Sequence, residues 1–410
     1  MTPTFTAGPE ESEPRSDLRV TYVPLRQPLS IEIQSKVQAL FGDSLRSQAE
    51  AVCKEFSLRS GRLVLEDFGA LPFVVVARIE AVVKEAYPEL DIEPLPPMRE
   101  FCTYPSARNR PRRSRLYIPG NQPKFMLNAG IHRPDGIILD LEDSVVPSEK
   151  EATRYLVRNA LRSVNFFGAE RMVRINQGEL GVRDLDYVVP NNVHLILIPK
   201  VESGDQVRDV DHRIAEISDA CGREEPVFLM PIIESARGVL KALEIAEASR
   251  NIVALTIGLE DYTADIGTER TSEGRESFFA RNMVVNAAKA VGIQAIDTVF
   301  SDVSDMEGLT ASVREAKSLG FEGKGCIHPR QIKPIHDAFA PTEGEMEEAK
   351  QIVLAFDEAQ RKGLGVVLLG SKMIDPPVVK RAQSTIDLAV SSGLLPSSWK
   401  ERHRPEPEAV

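Results

Sequence analysis

The sequence lacks the short motifs that mark several large enzyme classes. Its cysteines are widely separated and form no Cys-x-x-Cys pair, and its histidines form no His-x-x-x-His pattern. These absences disfavour zinc knuckles, redox dithiols and zinc hydrolases. No Gly-x-Ser-x-Gly elbow, no Gly-x-x-x-x-Gly-Lys-[Ser/Thr] loop and no strand followed by Gly-x-Gly-x-x-Gly occurs either. Serine hydrolases of that type, P-loop NTPases and dinucleotide-binding domains are therefore disfavoured.

The sequence also has little positive charge and no long apolar run. Its net charge is −11, which disfavours nucleic-acid binding. No segment approaches the ~20 apolar residues of a membrane span, and the first residues lack the basic start and apolar core of a signal peptide. We therefore expect a soluble, cytoplasmic protein with no membrane or nucleic-acid partner. At 410 residues, the chain is long enough for more than one domain.

Short apolar runs separated by helix-length polar segments dominate the middle of the chain. Runs of this kind are typical of parallel strands that are buried on both faces. There are eight of them, which predicts a closed (β/α)8 TIM barrel in the α/β class. The runs occupy residues 115–118, 136–143, 171–174, 194–200, 227–234, 252–258, 293–297 and 325–328.

Charged residues follow these runs, and in a barrel of this type the carboxyl ends of all the strands open into one mouth. A mouth rich in carboxylates with a few cations suggests a divalent metal that handles an anionic substrate. The residues expected there are Glu142, Asp143, Arg174, Lys200, Glu202, Glu234, Asp261 and Asp297.

The flanking segments predict further domains. Residues 1–16 are expected to form a disordered tail, 17–88 a small α+β domain, and 89–112 a proline-rich semi-rigid tether. The barrel is expected at 113–340. A C-terminal lid at 341–395 should contain a helix, a hairpin and a second helix that starts just after Asp375, followed by a tail at 396–410.

Glu234 and Asp261 are the candidate metal ligands. They are separated by one βα repeat, so they should end adjacent strands and point into the same mouth. Two close carboxylates suit magnesium, which prefers oxygen ligands and keeps several waters that a substrate displaces. The alternative is that each acidic residue only stabilises the start of the next helix, and spacing alone does not decide between these interpretations.

Four more residues have open roles. Glu142 and Asp143 are adjacent, so only one should face the site, and we favour Glu142 toward the metal waters or the substrate. Arg174 could grip a carboxylate or carbonyl with its planar fork, or it could form a structural ion pair. Lys200 could pair with Glu202 or form a Schiff base, as in metal-independent aldolases.

Seven motifs, taken together and in order, resemble those of the citrate lyase beta-subunit family, which includes malyl-CoA and citramalyl-CoA lyases. The resemblance covers about residues 112–390. The motifs are RSRLYIPGN (113–121), LDLEDSV (139–145), RIN (174–176), IPKVE (198–202), IESARG (233–238), GLEDYTAD (258–265) and GCIHP (325–329).

The resemblance implies a magnesium-dependent barrel that cleaves or forms a carbon–carbon bond in a 3-hydroxyacyl thioester. It implies Glu234 and Asp261 as metal ligands and Arg174 as a substrate contact, with Arg113, Asn121 and Lys124 near the thioester cofactor. It also implies that Asp375, in the segment Met373-Ile-Asp375, reaches the active site of a neighbouring subunit. A homo-oligomer, trimer or hexamer, would then exchange lids between its subunits.

The N-terminal region resembles the acyl-carrier gamma subunit of citrate lyase. In that subunit, a serine before a Gly-Asp pair carries a phosphoribosyl-dephospho-CoA group. The subunit works with an alpha-type acyltransferase. This chain reads Arg15-Ser16-Asp17 instead. Three hypotheses follow: a carrier-dependent lyase, a lyase that acts on free malyl-CoA or citramalyl-CoA with a docking domain, and a noncatalytic scaffold subunit.

Overall fold

The structure, a computed structural model, describes residues 2–10, 14–369 and 372–400. The chain divides into two compact units, one that ends at Ile332 and one that begins at Lys333. The first unit contains the N-terminal α+β domain and the barrel together. None of the described helices is both long enough and apolar enough to cross a membrane.

The N-terminal domain is a four-stranded sheet of order β1-β2-β4-β3 with two helices. The region expected to form a small α+β domain thus contains both strands and helices. Leu18, Leu63 and Leu65 are fully buried and form part of its core. The elements are β1 (Phe5–Ala7), β2 (Leu18–Pro28), β3 (Ser30–Ser35), α1 (Gln38–Glu55), β4 (Ser60–Asp67) and α2 (Pro72–Ala86).

Strand β1 corrects the predicted disordered tail at residues 1–16. Phe5 pairs with Tyr22, and Ala7 pairs with Val20, in an antiparallel ladder along the edge of the sheet. Ala7 is buried there. A three-residue edge strand is too short to show an apolar period in the sequence. The ordered conformation of β1 comes from hydrogen bonds to β2 and not from a hydrophobic face.

The eight predicted runs form a closed barrel of parallel strands, in which β12 pairs with β5 to complete the ring. This confirms the (β/α)8 prediction. The strands are almost wholly buried, because helices cover one side and packed side chains fill the other. They are β5 (Ser114–Pro119), β6 (Gly136–Asp140), β7 (Glu170–Arg174), β8 (Leu195–Ile198), β9 (Phe228–Ile233), β10 (Ala254–Ile257), β11 (Gln294–Asp297) and β12 (Gly323–Cys326).

Helices connect successive strands, and the side chains of Met172, Leu195 and Met230 pack inside the barrel. The connecting helices are α3 (Pro123–Ala129), α4 (Lys150–Ser163), α5 (Gly178–Val188), α6 (Gly204–Cys221), α7 (Ala236–Leu240), α8 (Ala242–Ala246), α9 (Leu259–Asp265), α10 (Phe278–Ala290) and α11 (Met306–Leu319). Helix α12 (Ile332–Phe339) follows β12, and the second unit begins within it.

The proline-rich segment 89–112 contains a single 3-10 turn, Glu100–Cys102, and otherwise neither helix nor strand among its residues. It packs closely against the amino end of the barrel. The hydroxyl of Tyr104 donates to the carbonyl of Ala169 at 2.6 Å, and the Arg171 guanidinium lies 4.4 Å from the centre of the Tyr104 ring. Buried Arg112 pairs with buried Glu170 at 2.7 Å. The segment therefore closes the end of the barrel opposite the mouth.

The N-terminal domain is joined to the barrel through α2 and α4. Arg158 of α4 and Glu80 of α2 form an ion pair in which neither side chain is exposed. The amide of Asn159 also donates to the carbonyl of Phe73 at 3.2 Å. The ion pair and the hydrogen bond connect α2 to α4 across the contact between the two domains.

The second unit has the predicted order of helix, hairpin and helix. Its elements are α13 (Glu343–Arg361), β13 (Val367–Leu369), β14 (Lys372–Ile374) and α14 (Pro376–Ser391). Ile352, Phe356, Ile374, Ile386 and Trp399 form its core. The predicted tail at 396–410 is described only as far as residue 400. Within that part, Trp399 is buried in this core, and residues 401–410 lie outside the described part of the chain.

Candidate active site at the barrel mouth

A cavity of about 500 Å³ opens at the carboxyl ends of the strands. Its walls combine carboxylates, arginines and a tyrosine with a few apolar side chains, which suits a small anionic molecule. The lining includes Arg115, Tyr117, Asp140, Asp143, Arg174, Ile232, Glu234, Thr256, Gly258, Asp261, Asp297 and Ile327.

Arg174 and Asp140, at the ends of neighbouring strands, form a two-pronged ion pair. Nε and Nη2 of Arg174 each donate to one oxygen of Asp140, both at 2.7 Å. Burial alone would raise the pKa of Asp140, but the Arg174 guanidinium outweighs it and holds that pKa below its ordinary value. The arginine is thus fixed in orientation, with its third nitrogen, Nη1, directed toward Glu142 at 2.9 Å.

Glu142 is buried beside the mouth, while Asp143 is about half exposed and lines the cavity. Lys200 lies 3.2 Å from Glu142 and 3.5 Å from Asp143, and Gln177 donates to Glu142 at 2.8 Å. Burial raises the pKa of Glu142, and Arg174 opposes that shift. Lys200 is thereby held among carboxylates of the mouth, whereas the predicted pair with Glu202 does not form within the described residues.

Glu234 is buried directly beneath the mouth. One carboxylate oxygen accepts a hydrogen bond from the backbone N–H of Lys200 at 2.7 Å, and the other lies against Gly258, where a Cβ atom would collide with it. The following helix α7 is capped by Ser235, whose hydroxyl accepts from the N–H of Gly238. Glu234 is therefore not the helix cap that the alternative interpretation required.

Burial raises the pKa of Glu234 to about 8, and the nearby carboxylates of Asp261 and Glu142 add to the shift. The carboxylates of Asp261 and Glu142 therefore lie near enough to Glu234 to disfavour its charged form when no cation is bound. Asp261 lies in the first turn of α9, 3.8 Å from Lys200, with 42% of its side chain exposed. No group of three or more ligating side chains occurs in the part of the chain described. Two carboxylates with room for waters and substrate oxygens fit magnesium.

The residues expected near the thioester cofactor lie in two places. Asn121 and Lys124 follow the carboxyl end of β5, beside the mouth. Arg113 precedes β5 and is bound to Asp135 through Nε at 2.8 Å and Nη2 at 2.9 Å. It therefore lies at the amino end of the barrel, away from the mouth. The motif shows that Arg113 adjoins a strand, but it does not show which partners the side chain binds.

Asp375 belongs to the second unit. Its carboxylate accepts a hydrogen bond from the N–H of Val378 at 3.1 Å and caps α14. The predicted sharp helix start after Asp375, with Pro376 at its first position, is confirmed. Its expected role at a neighbouring subunit stays a prediction.

Sequence reasoning missed four of the residues that line the site: Asp140, Tyr117, Arg115 and Thr256. Asp140 was included in an apolar run that was expected to continue to Glu142, although β6 ends at Asp140. Tyr117 and Arg115 alternate with buried Leu116 and Ile118 along β5. That period of two is a signal that could have placed both side chains on the inner face.

Comparison with known proteins gives a family. The sequence profile of the HpcH/HpaI aldolase/citrate lyase family matches residues 113–329. The chain belongs to this family. Residues 4–86 match a second profile, that of the malonate decarboxylase delta subunit (MdcD), which supports the predicted carrier-like nature of the N-terminal domain.

Similar members of the HpcH/HpaI aldolase/citrate lyase family include two enzyme types. Citrate lyase subunit beta of Haemophilus influenzae is 44% identical over 68% of this chain and 97% of that protein. Mitochondrial citramalyl-CoA lyase of Homo sapiens is 32% identical over 68% of this chain and 86% of that protein. A crystal structure of protein CitE from Mycobacterium tuberculosis with magnesium, acetoacetate and coenzyme A is 28% identical, with a TM-score of 0.58. It matches 70% of this chain and 100% of that one.

Proposed function

We propose that this protein is a magnesium-dependent lyase that cleaves citryl, citramalyl or malyl thioesters into an acetyl-type thioester and a 2-oxo acid. The observation that carries the proposal is the buried Glu234 at the barrel mouth, with the carboxylates of Asp261 and Glu142 close to it. The related structure with magnesium and coenzyme A supports the same chemistry.

Glu234 and Asp261 would hold the metal, which acts when bound as a Lewis acid on the hydroxyl, later carbonyl, oxygen of the departing 2-oxo acid. Arg174 binds and orients the same fragment. Its guanidinium is fixed by Asp140, so it needs little reorganisation when charge develops on the substrate. Glu142 holds Lys200 and Arg174 in place and acts on the substrate through them.

The other fragment leaves as a thioester enolate, which must gain a proton. Asp375 of a neighbouring subunit is proposed as the general acid, so a homo-oligomer is part of the proposal. Asn121 and Lys124 border the mouth and would contact the thioester cofactor. Arg113 is left out of this role because its guanidinium is bound to Asp135 at the other end of the barrel.

The geometry of the N-terminal domain favours free CoA thioesters over carrier-bound ones. Asp17, which follows the candidate serine Ser16, is buried and bound by Arg78 at 2.8 Å. Arg78 in turn donates to the carbonyl of Asn121 at 3.3 Å. A domain fixed to the barrel by such contacts cannot swing between active sites. An acyltransferase partner would be required only if Ser16 carried a prosthetic group.

The decisive experiment is an assay of the purified protein, with and without Mg²⁺, on free malyl-CoA, citramalyl-CoA and citryl-CoA. The released 2-oxo acid is measured, and the intact mass of the protein is recorded. Metal-dependent cleavage of one substrate, with no adduct on the chain, is expected. If none of the three substrates is cleaved and the chain carries a phosphopantetheine-type adduct, a carrier-dependent citrate lyase component is favoured instead. Mg²⁺ binding without turnover would favour a scaffold.

A further inference from the structure

Arg115 is a buried cation at the floor of the active-site cavity. Its residue is 1% exposed, yet it lines the same cavity as Glu234 and Arg174. Nη1 lies 2.9 Å from the sulfur of Met230, and Nη2 donates to the hydroxyl of Thr256 at 3.1 Å. Its Nε has no hydrogen-bond partner within the described residues.

Three other fully buried arginines of the described chain are each neutralised by a carboxylate. The pairs are Arg112 with Glu170, Arg154 with Asp184, and Arg158 with Glu80. Arg171 lacks an acidic partner in the described chain but bonds to the carbonyls of Asn192 and Tyr104 and stacks on the Tyr104 ring. Arg115 also has no acidic partner within the described residues. Of Arg115 and Arg171, only Arg115 lines the active-site cavity.

The nearest acidic side chain does not supply the missing charge. Nη2 of Arg115 donates to the backbone carbonyl of Asp297 at 3.4 Å. The carboxylate of Asp297 is bound instead by Lys324 at 2.7 Å and by Arg281 at 3.2 Å. Arg281 also pairs with Glu315. Counting these five groups, three cations face two carboxylates, so this cluster has one positive charge in excess and Arg115 is the cation without an acidic partner.

A buried charge without a counter-ion is strongly unfavourable unless a ligand provides one. We propose that Arg115 binds a carboxylate of the substrate, on the part of the 2-oxo acid that points away from the metal carboxylates into the barrel. Asp140 and Glu142 already neutralise Arg174, whereas Arg115 has no acidic partner in the described chain. The two arginines therefore have different roles. This inference rests on the proposed lyase function.

The consequence concerns the substrate class. A citryl thioester releases a 2-oxo acid with a second carboxylate, whereas citramalyl and malyl thioesters release acids with a methyl group or a hydrogen at that place. Only the dicarboxylate supplies the counter-charge that Arg115 lacks. The protein is therefore expected to prefer the citryl substrate and to bind oxaloacetate more tightly than pyruvate or glyoxylate.

The first test uses the unaltered protein. Isothermal titration in the presence of Mg²⁺ compares oxaloacetate with pyruvate. Oxaloacetate is expected to bind tighter by roughly ten- to hundredfold, which corresponds to one hydrogen bond to a charged group. Equal affinities, or tighter binding of pyruvate, would overturn the assignment.

The second test compares substrates within single variants. In Arg115→Met, the ratio of kcat/KM for citryl-CoA to that for citramalyl-CoA should fall by roughly ten- to hundredfold, and Arg115→Lys should recover part of it. A folding defect lowers both values together and leaves the ratio unchanged. Arg171→Met removes the other buried arginine without an acidic partner and should keep the wild-type ratio. An unchanged ratio in Arg115→Met would refute the proposal.

The two levels of failure are distinguishable. If the wild type cleaves citramalyl-CoA or malyl-CoA with Mg²⁺ but not citryl-CoA, the role of Arg115 is wrong and the lyase function stands. If no thioester is cleaved and neither oxo acid binds, the lyase function itself is wrong.

Discussion

Glu80 of the N-terminal domain and Arg158 of the barrel form an ion pair in which neither side chain is accessible to solvent. Nη1 of Arg158 lies 3.1 Å from the Glu80 carboxylate, and Lys84 approaches the same carboxylate at 3.0 Å. The contact joins two regions that the sequence suggested to be separate domains linked by a tether. They are expected to unfold together.

Removal of one partner of this pair should be strongly destabilising. Glu80→Gln removes the only fully buried carboxylate that pairs with Arg158 in the described chain and leaves the half-exposed Glu93 at 3.5 Å, which should cost about 3–5 kcal/mol. Arg158→Met leaves Glu80 with Lys84 as its counter-ion, so its cost should be smaller. The double variant should recover much of that loss. Denaturant unfolding followed by circular dichroism measures the change. Glu32→Gln, which breaks the exposed pair with Arg62, is the matched control and should change little. A Glu80→Gln protein as stable as the control would show that the domains are not coupled through this pair.

Substitution of either proposed metal ligand should abolish the reaction without unfolding the barrel. Glu234→Gln and Asp261→Asn keep the size of the side chain but remove the charge that binds Mg²⁺. We expect kcat to fall by at least about a hundredfold and Mg²⁺ binding to weaken in calorimetry. Thermal unfolding of both variants should remain close to wild type. Full Mg²⁺-dependent turnover in either variant would rule out its role as a ligand.

Gly258→Ala should disturb the site through a single methyl group. The added Cβ would collide with the Glu234 carboxylate, while the φ of −107° is open to alanine. Mg²⁺ affinity should therefore fall by about 10–100-fold with little loss of stability. Gly344→Ala meets no atom within 4 Å and serves as the control. Unaltered Mg²⁺ affinity in Gly258→Ala would mean that Glu234 is not held as described.

The stability of the barrel should depend on pH through His194. Burial, with Arg171 adding to it, lowers the pKa of His194 from 6.5 to about 3. Its Nδ1 accepts from the N–H of Arg171 and its Nε2 donates to the carbonyl of Tyr104, so the neutral form is the one that fits. The unfolded chain binds the proton more readily, so this contribution is complete above pH 6.5 and is lost as pH falls toward 3.

The loss should amount to at most about 1.4 kcal/mol per pH unit within that window. Urea unfolding at a series of pH values measures it in the wild type. His194→Gln should show a shallower dependence in the same window. Identical slopes in both proteins would show that His194 does not titrate differently in the folded state.

Asp375 is testable by mixing inactive variants. If it acts at a neighbouring subunit, Asp375→Asn and Glu234→Gln are each inactive, but a mixed oligomer contains sites with both native residues. Co-expression and co-purification of the two should therefore restore part of the activity. Asp375 also caps α14, so Asp375→Ser, which keeps a capping oxygen, separates that effect. No recovery in mixed oligomers would place Asp375 within its own subunit or outside the chemistry.

Much of the barrel could be predicted because each strand is a continuous apolar run that ends at a functional mouth. The run at 293–297, for example, becomes the strand Gln294–Asp297. The strand Phe5–Ala7 could not be found in this way, since its order depends on pairing with Tyr22 and Val20. A three-residue edge strand has too little apolar surface to leave a pattern in the sequence.

The candidate site was predictable only as a set of strand ends. Arg174, Glu234 and Asp261 line one mouth, and Glu142 pairs with Arg174 beside it. The pairing of Arg174 with Asp140, however, depends on the register between β6 and β7, and the sequence does not contain that register explicitly. Arg113 was misplaced because its role came from the resemblance alone: it precedes β5, and only the carboxyl ends of the strands open at the mouth.

The packing of α2 on α4 sets a limit on how this protein can be divided. Ten residues of α2, including Glu80, are buried, and α4 meets it with the fully buried side chains of Arg158 and Asn159. A fragment that begins at the barrel would expose an apolar surface together with Arg158, which would lack its partner Glu80. Such a fragment is prone to self-association, so crystallisation trials and recombinant production should keep the two regions in one polypeptide.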